Sequence, residues 1–422
     1  MAKVLRGNKG EAKKFLIAIS TAIFMLGGLL IVPSAHAAGV TGTVEFWSWN
    51  GGGNYQTVDE DAVARFEAAN PGAKVKLTYI AWADYITKVK ASFAAGNPPD
   101  IMQLPWAGEF RDIVDAGQLL PMDNYLKTGF PAFSKSGTEA VTLKGKKWAM
   151  PLDLNTLQIA YNVDVFKKLG LNPPRSTADL LQIGKKLKSK KLYGLSVGLK
   201  DQWVGGDLWF AQVAYTDKTG TALAAADAGT IPWTAPALVK AGDNVAAMVK
   251  SGLFAPGANS MASFTEALDL FTAGKAGMYY PIGNFASDFV DTSVNGKFKW
   301  SMFPFPGGGA DVQRATGGIA RMFAMPKDGG NAAAAVEFLK YFTNAEGSKQ
   351  LLKYAFIPAW DVTIPAGISP FFQSFLKWQP TARSRVIYTS SVYTALLNAM
   401  QPMLDGDSSG MDVSKALMKA RP

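Results

Sequence analysis

The sequence predicts an α/β fold with two lobes, and three observations lead to that prediction. Between residues 43 and 104, apolar alternation typical of strands takes turns with apolar residues at helical spacing. About 385 of the 422 residues remain once a predicted leader is removed, which is more than a single hydrophobic core normally covers. No cysteine occurs, so a disulfide framework is excluded and stability must come from packed cores.

The first predicted strand is Thr43–Trp49, which ends before a run of three glycines. Thr57 and Glu60 have the spacing of a capping box, so we expect the next helix to begin there. The sequence Asn-Pro-Gly at residues 70–72 predicts the end of that helix. Alternation over Lys74–Tyr79 then predicts the second strand.

A second helix is predicted from Asp84 to Gly96, followed by a third short strand over Asp100–Leu104. The order of strands and helices is that of an open, mainly parallel sheet. Ligands of such sheets bind outside the carboxyl ends of the strands. The pattern therefore predicts that four residues lie near one mouth of the sheet: Trp49, Asn50, Gln103 and Trp106.

Later segments continue the alternation without internal repeats. Residues 300–306 predict a strand whose two prolines suit an extended crossing between lobes. Residues 332–342 and 392–404 have apolar side chains at helical spacing, which predicts two helices that pack on a lobe.

The amino-terminal 37 residues have the organisation of a secretory signal peptide. Five basic residues precede Phe15–Val32, an uncharged run of 18 residues, and Ala35–Ala37 offers the small-x-small pattern that a signal peptidase reads. We predict cleavage after Ala37. The alternative is a retained anchor, because 18 apolar residues reach the lower limit for spanning a bilayer.

Cleavage would change which functions the chain can have. The leader carries five basic residues and one acid, so its removal lowers the formal net charge from +10 to +6. It also removes His36, the only histidine, which excludes Ser-His-Asp and Cys-His catalysis and imidazole or thiolate metal sites. The basic residues are scattered over predicted helical faces, which favours solvated surface over nucleic-acid binding. No cofactor or metal is predicted.

Several segments resemble bacterial extracellular solute-binding proteins of ABC importers, in the maltose-binding-like group. These segments, in chain order, are Gly96–Gln103 (GNPPDIMQ), Lys146–Asp153 (KKWAMPLD), Ala160–Gly170 (AYNVDVFKKLG), Pro173–Thr177 (PPRST), Phe271–Tyr280 (FTAGKAGMYY), residues 283–285 (GNF), Phe303–Gly307 (FPFPG), Thr316–Gly318 (TGG), Met325–Lys327 (MPK) and Ala335–Tyr341 (AVEFLKY). Each one alone is weak, but together they span nearly the whole chain after the leader, in the order and spacing of the family.

The resemblance implies a two-lobed periplasmic-binding-protein fold of type II, with a ligand cleft between lobes that are each a sheet flanked by helices. By analogy, lobe 1 is residues 38–151 plus 306–354, and lobe 2 is residues 152–305 plus 355–422, after a signal peptide at 1–37. The implied protein is a periplasmic monomer that binds a carbohydrate and delivers it to the permease subunits of an importer. It uses no cofactor and is not an enzyme.

A carbohydrate site needs aromatic faces for the C–H surfaces of the sugar, and amides or carboxylates for its hydroxyl groups. The chain has 11 tryptophans, the side chain that combines a broad face with a donor. Besides the four residues at the predicted mouth, the residue types and the resemblance indicate the following candidates: Asp153, Asn155, Asp201, Trp203, Trp209, Asn284, Phe285, Gly317, Gly318, Trp360 and Tyr393. Trp209 is expected to line the pocket or to pack beneath it, and Trp360 to stack on the ligand or to cover the hinge.

Two features leave the ligand open. Phe285 stands where the family usually has a tryptophan, which offers less face and no donor. Arg321, Arg383 and Arg385 would suit an acidic ligand, although solvated surface is the common setting of arginine. Two alternative functions also remain. A secreted glycosidase would combine tryptophan with paired carboxylates, and a ligand-sensing periplasmic module would use the same cleft.

Overall fold

The computed structural model describes residues 39–105, 108–283, 287–307, 314–385, 387 and 389–421. The predicted signal peptide, residues 1–37, lies outside these residues. Among the residues described, no helix is both long enough and apolar enough to cross a membrane.

The described residues form twelve strands. They are β1 (Gly42–Ser48), β2 (Ala73–Tyr79), β3 (Ile101–Gln103), β4 (Thr142–Leu143), β5 (Lys146–Lys147), β6 (Met150–Asn162), β7 (Tyr193–Val197), β8 (Ala276–Ile282), β9 (Trp300–Pro304), β10 (Thr316–Ala324), β11 (Ile357–Pro358) and β12 (Arg383–Ser384).

Helices surround the strands. In the described residues they are α1 (Gly53–Ala69), α2 (Trp82–Ala94), α3 (Gly108–Asp115), α4 (Lys135–Ala140), α5 (Val163–Lys168), α6 (Thr177–Lys188), α7 (Gln202–Thr216), α8 (Ala222–Ala228), α9 (Pro236–Lys250), α10 (Leu268–Thr272), α11 (Ser287–Val294), α12 (Ala332–Thr343), α13 (Ala345–Lys353), α14 (Pro370–Trp378), α15 (Ser390–Asp405) and α16 (Gly410–Ala420). Short 3₁₀ turns lie at Tyr125–Lys127, Ala258–Ser260 and Gln379–Thr381, and a π-helical turn at Ser263–Ala267 leads into α10.

One mixed sheet runs through the molecule in the order β2-β1-β3-β10-β6-β8-β7. β1 is parallel to β2 and β3, as the strand-helix order predicts, so their carboxyl ends meet at one edge. β10 is antiparallel to both β3 and β6, and β7 is parallel to β8. β9, β11 and β12 add short pairings, and β4 and β5 form a separate hairpin.

Strand β6 joins the two halves of the sheet because it pairs with different strands along its length. Residues 150–157 pair with β10, whereas residues 158–162 pair with β8 and β9. Nearly every residue of β6 is buried, as expected for a strand covered on both faces.

Two hydrophobic cores lie on either side of this strand. The first contains the aromatic cluster of Phe46, Phe66, Phe323, Phe338 and Phe342. The second is built from the buried faces of α7, α9, α15 and α16 against β7 and β8. Two cores are what the length of the chain requires. The residue bounds given above for the two lobes stay a prediction.

The predicted first, second and third strands match β1, β2 and β3 to within one residue at each end. The predicted capping box is wrong. α1 begins at Gly53, after Gly52 at φ 115°, a conformation that suits glycine. Thr57 therefore lies inside the helix, where its hydroxyl donates to the carbonyl of Gly53 at 3.2 Å.

Candidate functional site

The carboxyl ends of β1 and β3 carry a small polar cluster. The hydroxyl of Ser48 donates to Oε1 of Gln103 at 2.7 Å, and Nδ2 of Asn50 donates to the same oxygen at 3.3 Å. Gln103 is fully buried, and its Nε2 has no hydrogen-bond partner among the described residues. The side-chain amide nitrogen of Gln103 is therefore a buried hydrogen-bond donor without an acceptor among the described residues.

Three aromatic rings stand beside this cluster. Trp49 lies edge-on to Tyr85, with ring centroids 5.0 Å apart, and edge-on to Trp82 at 5.1 Å. The hydroxyl of Tyr85 is 2.7 Å from the carbonyl oxygen of Gln103 and 3.1 Å from that of Trp47. Burial raises the pKa of Tyr85 above its ordinary value, so the hydroxyl keeps its proton and ties α2 to two strand ends.

Strand β6 carries a second group of polar residues on one face. Asn155 pairs across the sheet with Gly318, and cross-strand partners lie on the same face. A Cβ built on Gly318 would meet nothing within 4 Å, so this face opens onto free space there. Asn155 is 2% exposed, and its Oδ1 has no hydrogen-bond partner in the described part of the chain. We call this surface the Asn155 face.

A buried arginine lies next to the Asn155 face. Arg321 donates through Nε to Asp153 at 2.9 Å and through Nη1 to Asp59 of α1 at 3.0 Å, and all three side chains are fully buried. The guanidinium lies 4.3 Å from the ring centroid of Tyr55 and 5.0 Å from that of Phe356. This ionic group ties α1 to both central strands.

This group contains two carboxylates and one guanidinium. One positive charge therefore faces two acids, and the pKa values of both acids are raised. Burial raises the pKa of Asp59 from 3.8 to about 7, although the charge of Arg321 lowers it. Burial also raises the pKa of Asp153 and that of Tyr55. Asp59 thus holds its proton to a higher pH than an ordinary aspartate does.

The start of α7 supplies another polar and aromatic pair. Oδ2 of Asp201 accepts from the backbone N–H of Ser263 at 2.8 Å, which fixes the π-helical turn against α7. Trp203, half-buried, stacks on Phe264 with ring centroids 6.1 Å apart and planes inclined by 23°. The sequence Asp-Gln-Trp therefore gives a fixed carboxylate and an accessible aromatic face.

Helices α3 and α15 meet at their amino ends. The hydroxyl of Ser390 donates to Asp112 at 2.7 Å. A Cβ built on Gly108 would lie 2.6 Å from the backbone nitrogen of Ser390, so only glycine allows this approach. Burial raises the pKa of Tyr393, and the nearby charges of Asp207 and Glu109 raise it further. The contact between Gly108 and Ser390 thus joins α3, which precedes β6 in the chain, to α15, which is near the carboxyl end.

A second buried arginine lies behind Tyr393. Nη1 of Arg385 donates to both carboxylate oxygens of Asp207 in α7, at 2.9 and 3.1 Å. The charge of Arg385 also lowers the pKa of Tyr55, which burial raises overall. The charges of Arg321 and Arg385 thus both act on Tyr55.

A groove of about 820 Å³ lies beside the central strands. Leu154 and Ile319, which are cross-strand partners, line it together with residues of α4 and with Trp360. Gly318, the cross-strand partner of Asn155, also lines the groove, so the groove extends to the part of β10 that is next to Asn155.

The structure places several of the predicted site residues in a core, in an ion pair or on the groove. Trp209 is fully buried in the second core. Trp360 is 5% exposed, donates to Ser348 at 3.2 Å and lines the groove. Asp153 is bonded to Arg321. Gly317 pairs with Thr156 and also faces the groove. Trp106, Asn284 and Phe285 lie outside the described residues.

Other residues were missed or read differently. Tyr55 and Asp59 were not singled out, because a tyrosine and an aspartate on a helix resemble an ordinary half-exposed face. Solvated surface was the expectation for Arg321 and Arg385, yet they are 1% and 5% exposed. The only sequence signal was the position of Arg321 in an otherwise apolar strand.

A family model described as "Bacterial extracellular solute-binding protein" matches residues 49–349. The chain belongs to that family. Membership makes this solute-binding protein an exported chain, as the sequence predicted.

Named relatives and solved structures agree with the family. The solute-binding protein is 26% identical over 324 residues to a putative binding protein of Brucella abortus, covering 75% of each chain. It is 26% identical over 300 residues to the multiple sugar-binding protein of Streptococcus mutans, covering 68% of this chain and 67% of the relative. A solved chitin oligosaccharide binding protein superposes with a TM-score of 0.79 at 22% identity, covering 90% of this chain and 98% of the other. The predicted two-lobed α/β fold is confirmed.

Proposed function

We propose that this protein is the periplasmic binding component of an ABC importer and that it captures a carbohydrate between its lobes. The proposal rests mainly on two buried side-chain amides. Each has one polar atom without a hydrogen-bond partner in the described part of the chain. These atoms are Nε2 of Gln103, a donor, and Oδ1 of Asn155, an acceptor. Sugar hydroxyl groups donate and accept hydrogen bonds and are uncharged, so they match such a pair.

The surrounding charges support a neutral ligand. Arg321 is neutralised by Asp59 and Asp153, and Arg385 is bonded to Asp207. An anionic ligand near these two groups would meet their carboxylates as well as their guanidinium groups. Trp49 and Trp203 supply aromatic faces, one from each half of the sheet.

The proposed mechanism is closure of the lobes around the ligand. The contact between Gly108 and Ser390 belongs to the closed arrangement, and the extended strands β6 and β10 serve as the hinge. A ligand that touches both lobes favours the closed form by its difference in affinity for the two forms. The closed protein then docks on the permease subunits of the importer.

The test is a ligand panel read by melting temperature and tryptophan emission. It contains neutral sugars, oligosaccharides, polyols, sn-glycerol 3-phosphate, amino acids and a dipeptide. We expect a neutral carbohydrate to raise the melting temperature, because a ligand at 100 times its Kd adds about 2.7 kcal/mol to the free energy of unfolding. Stabilisation by the phosphate ester or an amino acid alone would reject the carbohydrate proposal.

Product analysis in the same samples separates binding from hydrolysis, because release of reducing ends from an oligosaccharide would support a glycosidase instead. Asn155→Ala should weaken binding of the active sugar about tenfold, or about 1.4 kcal/mol, with little change in the melting temperature of the free protein. The matched control is Asn124→Ala, since Asn124 only accepts a hydrogen bond from Lys127 on the surface. Equal affinities in both variants would remove Asn155 from the site.

A further inference from the structure

Trp82, the first residue of α2, is the most unusual aromatic side chain on the surface. It is 47% exposed, although tryptophan is highly buried on average. Its ring contacts Trp49, which lies at the carboxyl end of β1 next to the polar cluster. The exposed face of Trp82 therefore continues the candidate site outward.

The order of the sheet places Trp82 at the end of a line of site residues. Gln103 ends β3, Asn50 follows β1, and Trp82 follows β2, the edge strand of the sheet. Because these three strands are parallel neighbours, their carboxyl ends lie side by side. Strands in a sheet are about 4.8 Å apart, so the line covers roughly 10 Å from Gln103 to the edge.

Exposure rises along the aromatic rings in the same direction. Tyr85 is fully buried, Trp49 is half-buried and Trp82 is exposed. Contact is continuous, because Asn50 bonds to Gln103 and Trp49 is 5.1 Å from Trp82 between ring centroids. A ligand held at Gln103 could extend along these rings into solvent without crossing a gap.

The loop beside Trp82 has no side chains that would cover the indole ring. Gly51, Gly52 and Gly53 form the loop between β1 and α1, and all three are exposed. A Cβ on Gly52 would meet nothing within 4 Å. The absence of side chains in this loop leaves room for a flat ring between the loop and the indole.

We propose that Trp82 forms an outer subsite that stacks on a further ring of an oligosaccharide, so that the protein selects chains of sugars over single sugars. The proposal rests on the proposed carbohydrate function and deepens it. The inner ring is held by Gln103 and Asn50, and the next ring lies on Trp49 and Trp82. Length selectivity is thus set at the edge of the sheet.

The test compares sugars of increasing length. Calorimetric titrations use glucose to maltotetraose, xylose to xylotetraose, and N-acetylglucosamine to its tetramer. In the series that binds, we expect affinity to rise about tenfold or more, about 1.4 kcal/mol, between the single sugar and the longer members. Trp82→Ala should abolish that rise and leave the affinity for the shortest bound member unchanged, and Trp82→Phe should keep part of it.

Tyr193→Ala is the matched control. Tyr193 is an exposed aromatic residue, 41% accessible, at the start of β7 on the opposite edge of the sheet. It should leave the length dependence intact. A wild-type protein that binds the single sugar as tightly as the tetramer, or a Trp82→Ala variant with unaltered length dependence, would overturn the outer subsite while the carbohydrate function stands. If no member of any series binds, both proposals fail together.

Discussion

Arg321 and Arg385, the two arginines that are buried in the described part of the chain, are neutralised in different ways. Arg321 shares its guanidinium between Asp59 and Asp153 and lies against the rings of Tyr55 and Phe356, which stack on each other. Arg385 binds both oxygens of one carboxylate, that of Asp207. The first group therefore contains one acid more than the second for the same cation.

This difference has consequences for charge near the site. In the Arg321 group, the surplus acid is Asp59, whose pKa burial raises to about 7. In the Arg385 pair, burial raises the pKa of Asp207, and Arg385 opposes that rise. Neither group offers a surplus positive charge to a ligand. Arg321 and Arg385, two of the three arginines that left an acidic ligand open, therefore no longer favour one once their partners are known.

Replacing each arginine is the strongest test of the comparison. Arg321→Met leaves two buried carboxylates without a counterion, and we expect a loss of about 3–5 kcal/mol in the free energy of unfolding at pH 8. Arg385→Met leaves one carboxylate, that of Asp207, without its counterion, and the free energy of unfolding should fall by less, roughly 2–3 kcal/mol. Urea unfolding measures both values.

Arg65→Met serves as the control, because the ion pair of Arg65 with Asp61 is on the surface of α1. Such pairs contribute about 0.5 kcal/mol. A cost for Arg385→Met equal to or above that for Arg321→Met would contradict the charge imbalance between the two groups.

The pH dependence of stability sharpens the comparison. Asp59 keeps its proton in the folded state up to a pKa of about 7, whereas in the unfolded chain it loses the proton near its ordinary pKa of 3.8. The folded state therefore binds more protons in this range, and the contribution of Asp59 to stability decreases as pH rises from about 4 to 7, by at most about 1.4 kcal/mol per pH unit.

Unfolding free energies at pH 5, 6, 7 and 8 should thus fall with pH in the wild-type protein. In Asp59→Asn the part of this slope that Asp59 causes disappears, because the asparagine stays neutral and its Oδ1 can still accept from Arg321. Parallel pH profiles for the two proteins would show that Asp59 does not hold the extra proton.

The smallest effect concerns the contact between α3 and α15. Gly108→Ala would place a methyl group against the backbone of Ser390 and hold α3 away from α15. We expect about a tenfold loss of ligand affinity, or about 1.4 kcal/mol, because the backbone of Ser390 must move before α3 and α15 can approach each other. Small-angle scattering should show a more open molecule.

Gly205→Ala is a suitable control for that variant. Gly205 is also a helical glycine, but its Cβ would meet side-chain atoms and no backbone atom: the end of the Leu404 side chain at 3.1 Å and the Cβ of Met400 at 3.4 Å. Affinity should therefore stay at the wild-type value. A Gly108→Ala variant that binds like the wild-type protein would mean that the α3–α15 contact is not needed for closure.

The amino-terminal part of the fold was largely predictable from local patterns. Alternation placed β1, β2 and β3, and the parallel order followed from the helices between them. The meeting of Asn50 and Gln103, 53 residues apart, follows from that order. The start of α1 was mispredicted because Thr57 and Glu60 have capping-box spacing, although a glycine turn already begins the helix.

Residues of the central strands were less predictable. Asp153 was expected to bind hydroxyl groups because a carboxylate after a crossing suits a sugar. Its partner Arg321 is 168 residues away in sequence, and no local pattern indicates that the two meet. Trp209 and Trp203 occur on the same helix, and only the packing of α7 decides that one is buried and the other half-exposed.

The sequence by itself determined the α/β class, the requirement for two cores, the absence of cysteine chemistry, and the family resemblance. These follow from composition, period and short motifs, which act over a few residues. Only the tertiary structure decided which polar side chains are neutralised and which remain open to a ligand. That decision depends on cross-strand pairing, as between Asn155 and Gly318, and on ion pairs between distant segments, as between Arg321 and Asp59. Burial removes water from such groups, and so their partners determine their charge.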